Sequence, residues 1–158
     1  MNIIKNYLEE KIHNKLWDSL ESGHFPWYYV KHVADPSDIK DFQFHHTLYE
    51  NGHQKSDLFY LCHPLLGKLN FNELIRVRIN MYTRKENPIT HKWHTDSEIL
   101  HKVALYHVNQ NNGRTEFKDL GVSESEANSI VLFDGKIQHR SVTQTDAKIR
   151  VNININYV

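Results

Sequence analysis

The sequence lacks the features that stabilise secreted proteins or anchor proteins in membranes. Cys62 is the only cysteine, so no internal disulfide can form, and we expect it to be a small buried hydrophobe in a reducing cytoplasm. No run of about 18 apolar residues could form a membrane-spanning helix, and the N-terminal residues lack the apolar core of a signal peptide. These absences predict a soluble cytoplasmic protein that has no membrane partner.

Neither sign of charge is in excess, because Lys+Arg and Asp+Glu both number 19 and the formal net charge is zero. There is also no basic run, which argues against tight nonspecific binding to nucleic acid, since phosphate neutralisation drives such binding. A nucleic-acid substrate that fits a local basic groove stays open. The composition of 39% apolar and 24% charged residues is typical of a globular protein, and residues 1–158 suit one domain.

Apolar spacing predicts helices in the first half of the chain. Between residues 2 and 21 apolar side chains recur at the helical interval, which predicts a helix whose start Asn2 caps. Ser56 is placed to cap a second, leucine-rich helix, which Pro64 would kink or divide. We expect residues 1–72 to be a helical N-terminal part whose two helices buttress the rest of the chain.

From residue 73 the apolar period changes from helical to two, which is typical of strands. Polar and apolar residues alternate in 74–82 and 148–157; we expect the apolar faces to pack on the helices and the polar faces to line a cavity. Solvent exposure of the polar faces is the alternative, but asparagine is a poor residue for a bare strand surface. Further strands are predicted at 25–30, 41–49, 101–109, 115–118, 128–133 and 137–142. With a tight turn at 111–113, these short strands fit an antiparallel jelly roll.

Two histidines and one aspartate form a candidate metal site. His94 and Asp96 stand two apart, which on an extended strand places both side chains on one face, about 6.6 Å apart along the chain. With the distal His139 they make a set of two imidazoles and one carboxylate, which favours non-haem Fe(II) and suits dioxygen chemistry. Arg150 follows, and its guanidinium can grip a carboxylate through two parallel hydrogen bonds. The hypothesis is an Fe(II) site whose organic-acid cosubstrate is anchored by Arg150.

This ordered set resembles the Fe(II)/2-oxoglutarate dioxygenase superfamily, which carries His-x-Asp, a distal His and then a basic residue. The resemblance extends to residues 111–117, similar to the family's Gly-x-Thr-x-Phe strand, to 128–134, the strand before the distal His, and to 25–29. These segments are similar to the short oxygenases often encoded by tailed phages and related to the prolyl 4-hydroxylases, which would act in the host cytoplasm. The resemblance implies a mainly β chain with N-terminal helices, in which residues 73–158 form a double-stranded β-helix, a cupin-like jelly roll.

The resemblance also implies the cofactors and the reaction. Fe(II) would be held by His94, Asp96 and His139, and the distal carboxylate of 2-oxoglutarate would meet Arg150. Dioxygen would be consumed while 2-oxoglutarate is converted to succinate. Related halogenases replace the carboxylate ligand to make room for halide, so the presence of Asp96 favours hydroxylation, or an oxidative demethylation that begins with it.

Four further residues match positions around the cosubstrate in related enzymes. Asn80 and Tyr82 stand where such enzymes contact 2-oxoglutarate, and Asn152 matches the Arg-x-Asn of the alkylated-base demethylases. For these three, packing behind the site is the alternative to direct contact. His107 stands where prolyl-hydroxylase types usually carry a tyrosine that reaches the distal carboxylate, which makes it the fourth candidate.

Two classes of function remain. The first is a hydroxylase, for which a peptidyl side chain such as proline ranks ahead of a nucleobase or a free amino acid, on the resemblance and on the absence of net basic charge. The second is a non-catalytic cupin-like protein that binds a metal or ligand structurally. Arg150 separates the two, because a structural metal site needs no carboxylate clamp and a structural zinc site is normally closed by four ligands. The sequence determines neither the substrate nor the oligomeric state.

Overall fold

Two antiparallel sheets dominate the fold in a computed structural model that describes residues 1–158. The larger sheet has eight strands, which in chain order are β1 (Asn2–Ile4), β2 (Tyr28–Val30), β3 (Gln43–Glu50), β4 (His53–Gln54), β5 (Leu74–Thr83), β6 (Lys102–His107), β9 (Ser129–Asp134) and β11 (Ile149–Tyr157). The smaller sheet has three strands, which are β7 (Arg114–Phe117), β8 (Gly121–Glu124) and β10 (His139–Val142). The strand order is β1–β9–β6–β11–β5–β3–β2, with β4 beside β3, in the larger sheet and β10–β7–β8 in the smaller. The prediction of a mainly β chain is confirmed.

Helical structure is limited to α1 (Glu10–Glu21), a 3₁₀ helix (Asp57–Cys62) and α2 (His63–Leu66). The predicted second helix is therefore divided, and Ser56 caps its first part by accepting a hydrogen bond from the backbone N–H of Leu58 at 3.1 Å. Pro64 lies in the first turn of α2, where its missing N–H would have had no helical partner. None of these helices is long and apolar enough to cross a membrane.

The prediction of a helix that starts at residue 2 is wrong, because α1 starts at Glu10. Asn2 caps no helix and lies instead in β1, which pairs antiparallel with β9. Without β1, β9 would present unpaired N–H and C=O groups at the edge of the sheet, so strand pairing overrides the helical spacing of Ile3 and Ile4. Residues 1–72 thus contain four strands as well as the helices, and they are less helical than the sequence predicts.

The larger hydrophobic core lies on one face of the eight-stranded sheet. The alternating apolar residues of β5 and β11, among them Ile79 and Ile153, belong to a cluster of 19 buried residues. Leu16 and Leu20 from α1 and Leu65 from α2 join the same cluster. The expectation that the apolar faces of these two strands pack on the helices is therefore confirmed, which leaves their polar faces turned the other way.

A second, smaller core joins the two sheets. Phe117 of β7 packs against residues of β6 and β9 in the larger sheet, namely Val103, Leu105, Val131 and Phe133. The predicted tight turn at 111–113 is consequently no hairpin, because β6 and β7 lie in different sheets and the turn carries the chain across. The partners of β7 are β10 and β8, and β8 is a strand that the sequence pattern did not indicate.

Candidate metal centre

The two candidate histidines face each other across a single antiparallel bridge. The backbone N–H of His94 donates to the carbonyl of His139 at 3.0 Å, and that of His139 donates to the carbonyl of His94 at 2.9 Å. His139 starts β10, whereas the extended strand predicted around His94 is reduced to this one bridge. The register brings the two ring centroids to 4.4 Å.

Asp96 completes the set, since one ligand atom from each of His94, Asp96 and His139 lies within 4.8 Å of the others. The ring orientation of His139 is held by its Nδ1, which lies 3.1 Å from the carbonyl of Ile137. A carbonyl can only accept, so Nδ1 carries the hydrogen and Nε2 keeps the lone pair that a metal needs. Two imidazoles and one carboxylate that leave positions open fit Fe(II) better than a closed structural zinc site.

The carboxylate of Asp96 is oriented by residues of β5 and β11. Its Oδ2 accepts hydrogen bonds from the side-chain amides of Asn154 at 2.8 Å and Asn156 at 3.0 Å, and Arg76 lies 3.3 Å from Oδ1. Burial alone would raise the pKa of Asp96, but His139, Arg76 and the two amides outweigh it and hold the pKa well below its usual range. Asp96 is therefore a fixed anion, as a metal ligand must be.

Near neutral pH, protonation would not compete with metal coordination by His94. Burial, followed by the neighbouring His139, lowers the pKa of His94 to about 4. The imidazole is thus neutral at pH 7, and its lone pair is available to a metal.

Arg150 is fully buried and has no carboxylate partner. Its Nη1 donates to the hydroxyl of Ser141 at 2.7 Å and to the carbonyl of Val142 at 3.0 Å, and its Nη2 donates to the hydroxyl of Thr115 at 3.1 Å. Its Nε has no hydrogen-bond partner, and no acidic group forms an ion pair with it. Burial lowers the pKa of Arg150 to about 10, so the side chain stays charged at pH 7. A buried, unpaired cation is unfavourable by itself, which points to an anionic ligand at this place.

Gly113 makes room for this arginine. A Cβ at residue 113 would lie 2.9 Å from Oδ1 of Asn111, 3.0 Å from Cδ of Arg150 and 3.1 Å from the backbone N of Gln144. Real Cβ atoms rarely approach so closely, and both Oδ1 of Asn111 and the guanidinium of Arg150 are held in place by hydrogen bonds. The packing of Arg150 thus requires a glycine at residue 113, two residues before Thr115.

One mostly polar cavity of about 130 Å³ connects these features. His94, Asp96 and His139 line it, and so do Ser141 and Thr115, whose hydroxyls accept from Arg150. These hydroxyls have their own hydrogens to donate, so an anion at this end of the cavity meets two donors with a cation directly behind them.

Three of the four further candidates also line the cavity. Asn80, Tyr82 and Asn152 come together because Asn152 pairs with Asn80, and Arg150 with Tyr82, in the register of β5 and β11. The Nδ2 of Asn80 donates to Oδ1 of Asn152 at 3.0 Å, and the guanidinium of Arg150 lies 5.5 Å from the centre of the Tyr82 ring.

The candidate that the structure does not place in the cavity is His107. It is buried, and its Nε2 lies 3.1 Å from the hydroxyl of Ser123 on β8, while its Nδ1 has no partner. Burial and then the charge of Arg150 lower the pKa of His107 to about 3, so it is neutral at pH 7. His107 is thus not among the residues that line the cavity and contacts β8, a strand that the sequence did not indicate, so its contact with a cosubstrate stays a prediction.

The sequence did not indicate which residues hold Asp96, namely Arg76, Asn154 and Asn156. Their signal was present in the alternation, since Arg76 shares a face with Asn80 and Tyr82 on β5, and the two asparagines share a face with Arg150 on β11. That pattern identifies the polar face but not the side chain that each residue contacts.

No protein-family model and no curated protein matches this chain, but solved structures do. A prolyl-4-hydroxylase of Pseudomonas putida superposes with a TM-score of 0.60 at 10% identity, over 99% of this chain and 91% of the other. An oxidoreductase of the 2OG-Fe(II) oxygenase family from Burkholderia pseudomallei superposes with a TM-score of 0.61 at 10% identity, over 91% and 78%. A non-heme alpha-ketoglutarate-dependent epimerase of nogalamycin biosynthesis reaches 0.62 at 12% identity, over 99% and 76%. The fold of this chain is therefore that of the 2OG-Fe(II) oxygenases and prolyl-4-hydroxylases, as the resemblance in the sequence implied.

Proposed function

We propose that the protein is an Fe(II)- and 2-oxoglutarate-dependent dioxygenase that hydroxylates its substrate and whose two sheets form a double-stranded β-helix. The observation that carries the proposal is Arg150, a fully buried guanidinium without a carboxylate partner, beside a cavity that two histidines and an aspartate also line. A structural metal site has no need of such a cation. The likeness to prolyl-4-hydroxylase and 2OG-Fe(II) oxygenase folds supports the same reading.

In this proposal each part of the cavity has a task. His94, Asp96 and His139 would hold Fe(II), which with dioxygen and 2-oxoglutarate supplies the oxidising chemistry and yields succinate. Asn154 and Asn156 keep the carboxylate of Asp96 aimed at the metal position through their amide donors.

The other end of the cavity would bind the cosubstrate. Arg150, with the hydroxyls of Thr115 and Ser141 in front of it, would hold the distal carboxylate of 2-oxoglutarate. Asn80, Tyr82 and Asn152 line the space beside it. Burial of the guanidinium strengthens its attraction for a carboxylate, because little water screens the pair.

For the substrate, a peptidyl side chain such as proline ranks first, ahead of a nucleobase or a free amino acid. The fold shared with a prolyl-4-hydroxylase supports this order, and so does the zero net charge of the chain. The epimerase with the same fold makes the reaction itself worth testing, since epimerisation leaves the mass of a substrate unchanged and hydroxylation adds one oxygen atom.

The decisive experiment is an anaerobic calorimetric titration of 2-oxoglutarate into Mn(II)-loaded protein. Wild type should bind, and Arg150→Met should bind ten- to a hundredfold more weakly, since a charge-assisted contact is worth about 1.5–3 kcal/mol. Arg150→Lys should recover only part of the loss, because an ammonium cannot reproduce the two-pronged geometry. Arg84→Met is the matched control, because Arg84 is exposed on the loop after β5.

Metal binding should survive in Arg150→Met, since none of the three proposed ligands is changed. Wild type with Fe(II) and dioxygen should also release succinate slowly without any further substrate. Equal 2-oxoglutarate affinities for wild type and Arg150→Met would place the clamp elsewhere. Absence of 2-oxoglutarate binding by metal-loaded wild type would leave the non-catalytic cupin-like binder as the better account.

A further inference from the structure

Two arginines that the proposed chemistry does not use as cosubstrate ligands line the same cavity. Arg76 and Arg78 lie on the polar face of β5 with Asn80 and Tyr82. Tyr82 lies at the Arg150 end of the cavity, because it is paired with Arg150 on the neighbouring strand β11. Arg78 stands four residues earlier, which is roughly 13 Å along a strand. The two arginines are therefore at the other end of the cavity, on the side of Asp96.

Neither guanidinium is fully satisfied by the protein. Arg76 approaches Asp96 at 3.3 Å, but its buried Nε has no hydrogen-bond partner. Arg78 donates from Nε to the hydroxyl of Thr47 at 3.1 Å. Its Nη2 is 3.6 Å from Glu50, which is too long for a hydrogen bond. Both terminal nitrogens of Arg78 thus have donors to spare, and the side chain is only 26% exposed.

Apart from the histidines, three charged side chains line this end of the cavity, and two of them, Arg76 and Arg78, are cations beside the single anion Asp96. Glu50 lies 3.6 Å from Arg78 but does not line the cavity. Fe(II) and the dianion 2-oxoglutarate would together add no net charge, so loading the site would not neutralise the arginines. The same two arginines affect the nearby His45, because burial and then the charges of Arg78 and Arg76 lower its pKa to about 4.

We propose that the substrate presents an anionic group, a carboxylate or a phosphate, to Arg78 and Arg76 at the end of the cavity opposite Arg150. This inference rests on the proposed function and names the chemical class that the active site selects. Arg78 supplies the main contact, because Arg76 also holds Asp96. A guanidinium offers a planar pair of donors that matches the oxygens of either group.

The test compares an anionic probe with a neutral probe of similar shape. N-acetyl-L-glutamate, its neutral diamide N-acetyl-L-glutamine amide and inorganic phosphate are each titrated anaerobically into protein that carries Mn(II) and saturating 2-oxoglutarate. Wild type should bind the glutamate at least tenfold more tightly than the diamide, because only the former carries a carboxylate. The relative affinities for glutamate and phosphate then tell which anion the site prefers.

Arg78→Met and Arg78→Gln should both abolish this preference, and the second variant guards against a folding defect of the first. Arg84→Met should keep the preference, since it removes the same charge from an exposed loop. Equal binding of the glutamate and the neutral diamide by wild type, no binding of either anionic probe, or a preference that persists in both Arg78 variants would each overturn the proposal.

The same titrations separate this inference from the proposed function. If metal-loaded wild type binds no 2-oxoglutarate, the dioxygenase assignment fails. The anion titration is then run without 2-oxoglutarate on wild type, Arg78→Met and Arg150→Met. Dependence of glutamate binding on Arg78 but not on Arg150 would uphold the anion site alone, and independence from Arg78 would reject it as well.

Discussion

The carboxylate of Asp96 is held by two amides and a guanidinium that come from two neighbouring strands. Asn154 and Asn156 donate from β11, and Arg76 approaches from β5. Because these donors favour the charged form, Asp96 is presented as an anion before any metal arrives. At the scale of single residues, the neighbouring side chains thus orient the carboxylate of Asp96 in advance. This lowers the free-energy cost of ordering that side chain when a metal binds.

A first prediction concerns the metal ligands. His94→Ala and Asp96→Ala should each abolish stoichiometric binding of Fe(II) or Mn(II), because only two ligands would remain. His24→Ala is the control, since His24 is exposed far from the site in the chain. Elemental analysis after dialysis measures the metal content per chain, and unchanged stoichiometry in both ligand variants would refute the assignment.

A second prediction concerns Gly113. Gly113→Ala should displace Arg150 or Asn111, because the new Cβ would lie about 3 Å from both, and overpacking of this kind costs about 1–3 kcal/mol. We expect a lower melting temperature together with weaker 2-oxoglutarate binding. In the control Gly67→Ala, the nearest atom is 3.4 Å away, so the 2-oxoglutarate affinity should stay at the wild-type value. An unchanged affinity in Gly113→Ala would show that Arg150 tolerates the displacement.

Among the elements, the segment between β2 and β3, residues 31–42, closes one side of the cavity. It brings Val33 and Ala34 to the lining. Asp38 ties it to the loop that carries His94 by accepting from the backbone N–H of Lys92 at 2.7 Å. Near the end of the segment, Asp41 is buried. The segment has no regular structure of its own, so these carboxylates hold it in position.

A third prediction tests the anchor at Asp41. Its carboxylate contacts Lys85 and lies 3.4 Å from His91, and breaking a buried ion pair costs on the order of 3 kcal/mol. Asp41→Asn should therefore melt clearly below wild type at pH 7. Asp18→Asn, on the exposed face of α1, should melt like wild type.

The difference between Asp41→Asn and wild type should depend on pH. Burial would raise the pKa of Asp41, but hydrogen bonds from His91, Lys85 and the backbone of Phe42 prevail and lower it from its ordinary value of 3.8. A depressed carboxyl pKa contributes stability above the ordinary value and loses it as the pH falls through the lowered one. Melting curves of the two proteins should therefore converge below pH 3.8, and a gap that stays constant with pH would contradict this role.

At the scale of the whole molecule, the candidate metal site lies where the two sheets meet. Phe117 of the smaller sheet packs edge-on against Phe133 of the larger one, with 4.8 Å between ring centroids. Both rings also approach His139, at 6.1 Å and 5.1 Å. The inter-sheet core therefore supports one of the proposed ligands from behind, which couples sheet packing to the geometry of the site.

A fourth prediction follows for Phe117. Phe117→Ala should cost on the order of 3–5 kcal/mol of stability, the usual loss for a buried phenylalanine, and should weaken metal binding because His139 loses its support. Val122→Ala, at an exposed position of the neighbouring strand β8, should change neither. Denaturant unfolding and metal titration measure the two effects. An unaltered unfolding midpoint would show that the inter-sheet core does not depend on Phe117.

Local spacing let the sequence alone predict much of this protein. The period-two alternation of 74–82 and 148–157 indicated two strands with one polar and one apolar face, because side chains alternate along any strand. The residue types at His94, Asp96, His139 and Arg150 indicated metal and carboxylate chemistry, since their donor atoms do not depend on the fold.

The tertiary structure decided what local spacing cannot contain. Asn2–Ile4 became a strand because β9 lies beside it, and β7 left the sheet of β6 because its partners are β8 and β10. His107 turned away from the cavity towards Ser123 on β8. Contacts between residues far apart in the chain determine which polar side chains hold Asp96. Such contacts also determine whether Arg150 has an acidic partner. Such contacts form only when the sheets are assembled, so no periodicity in the sequence records them.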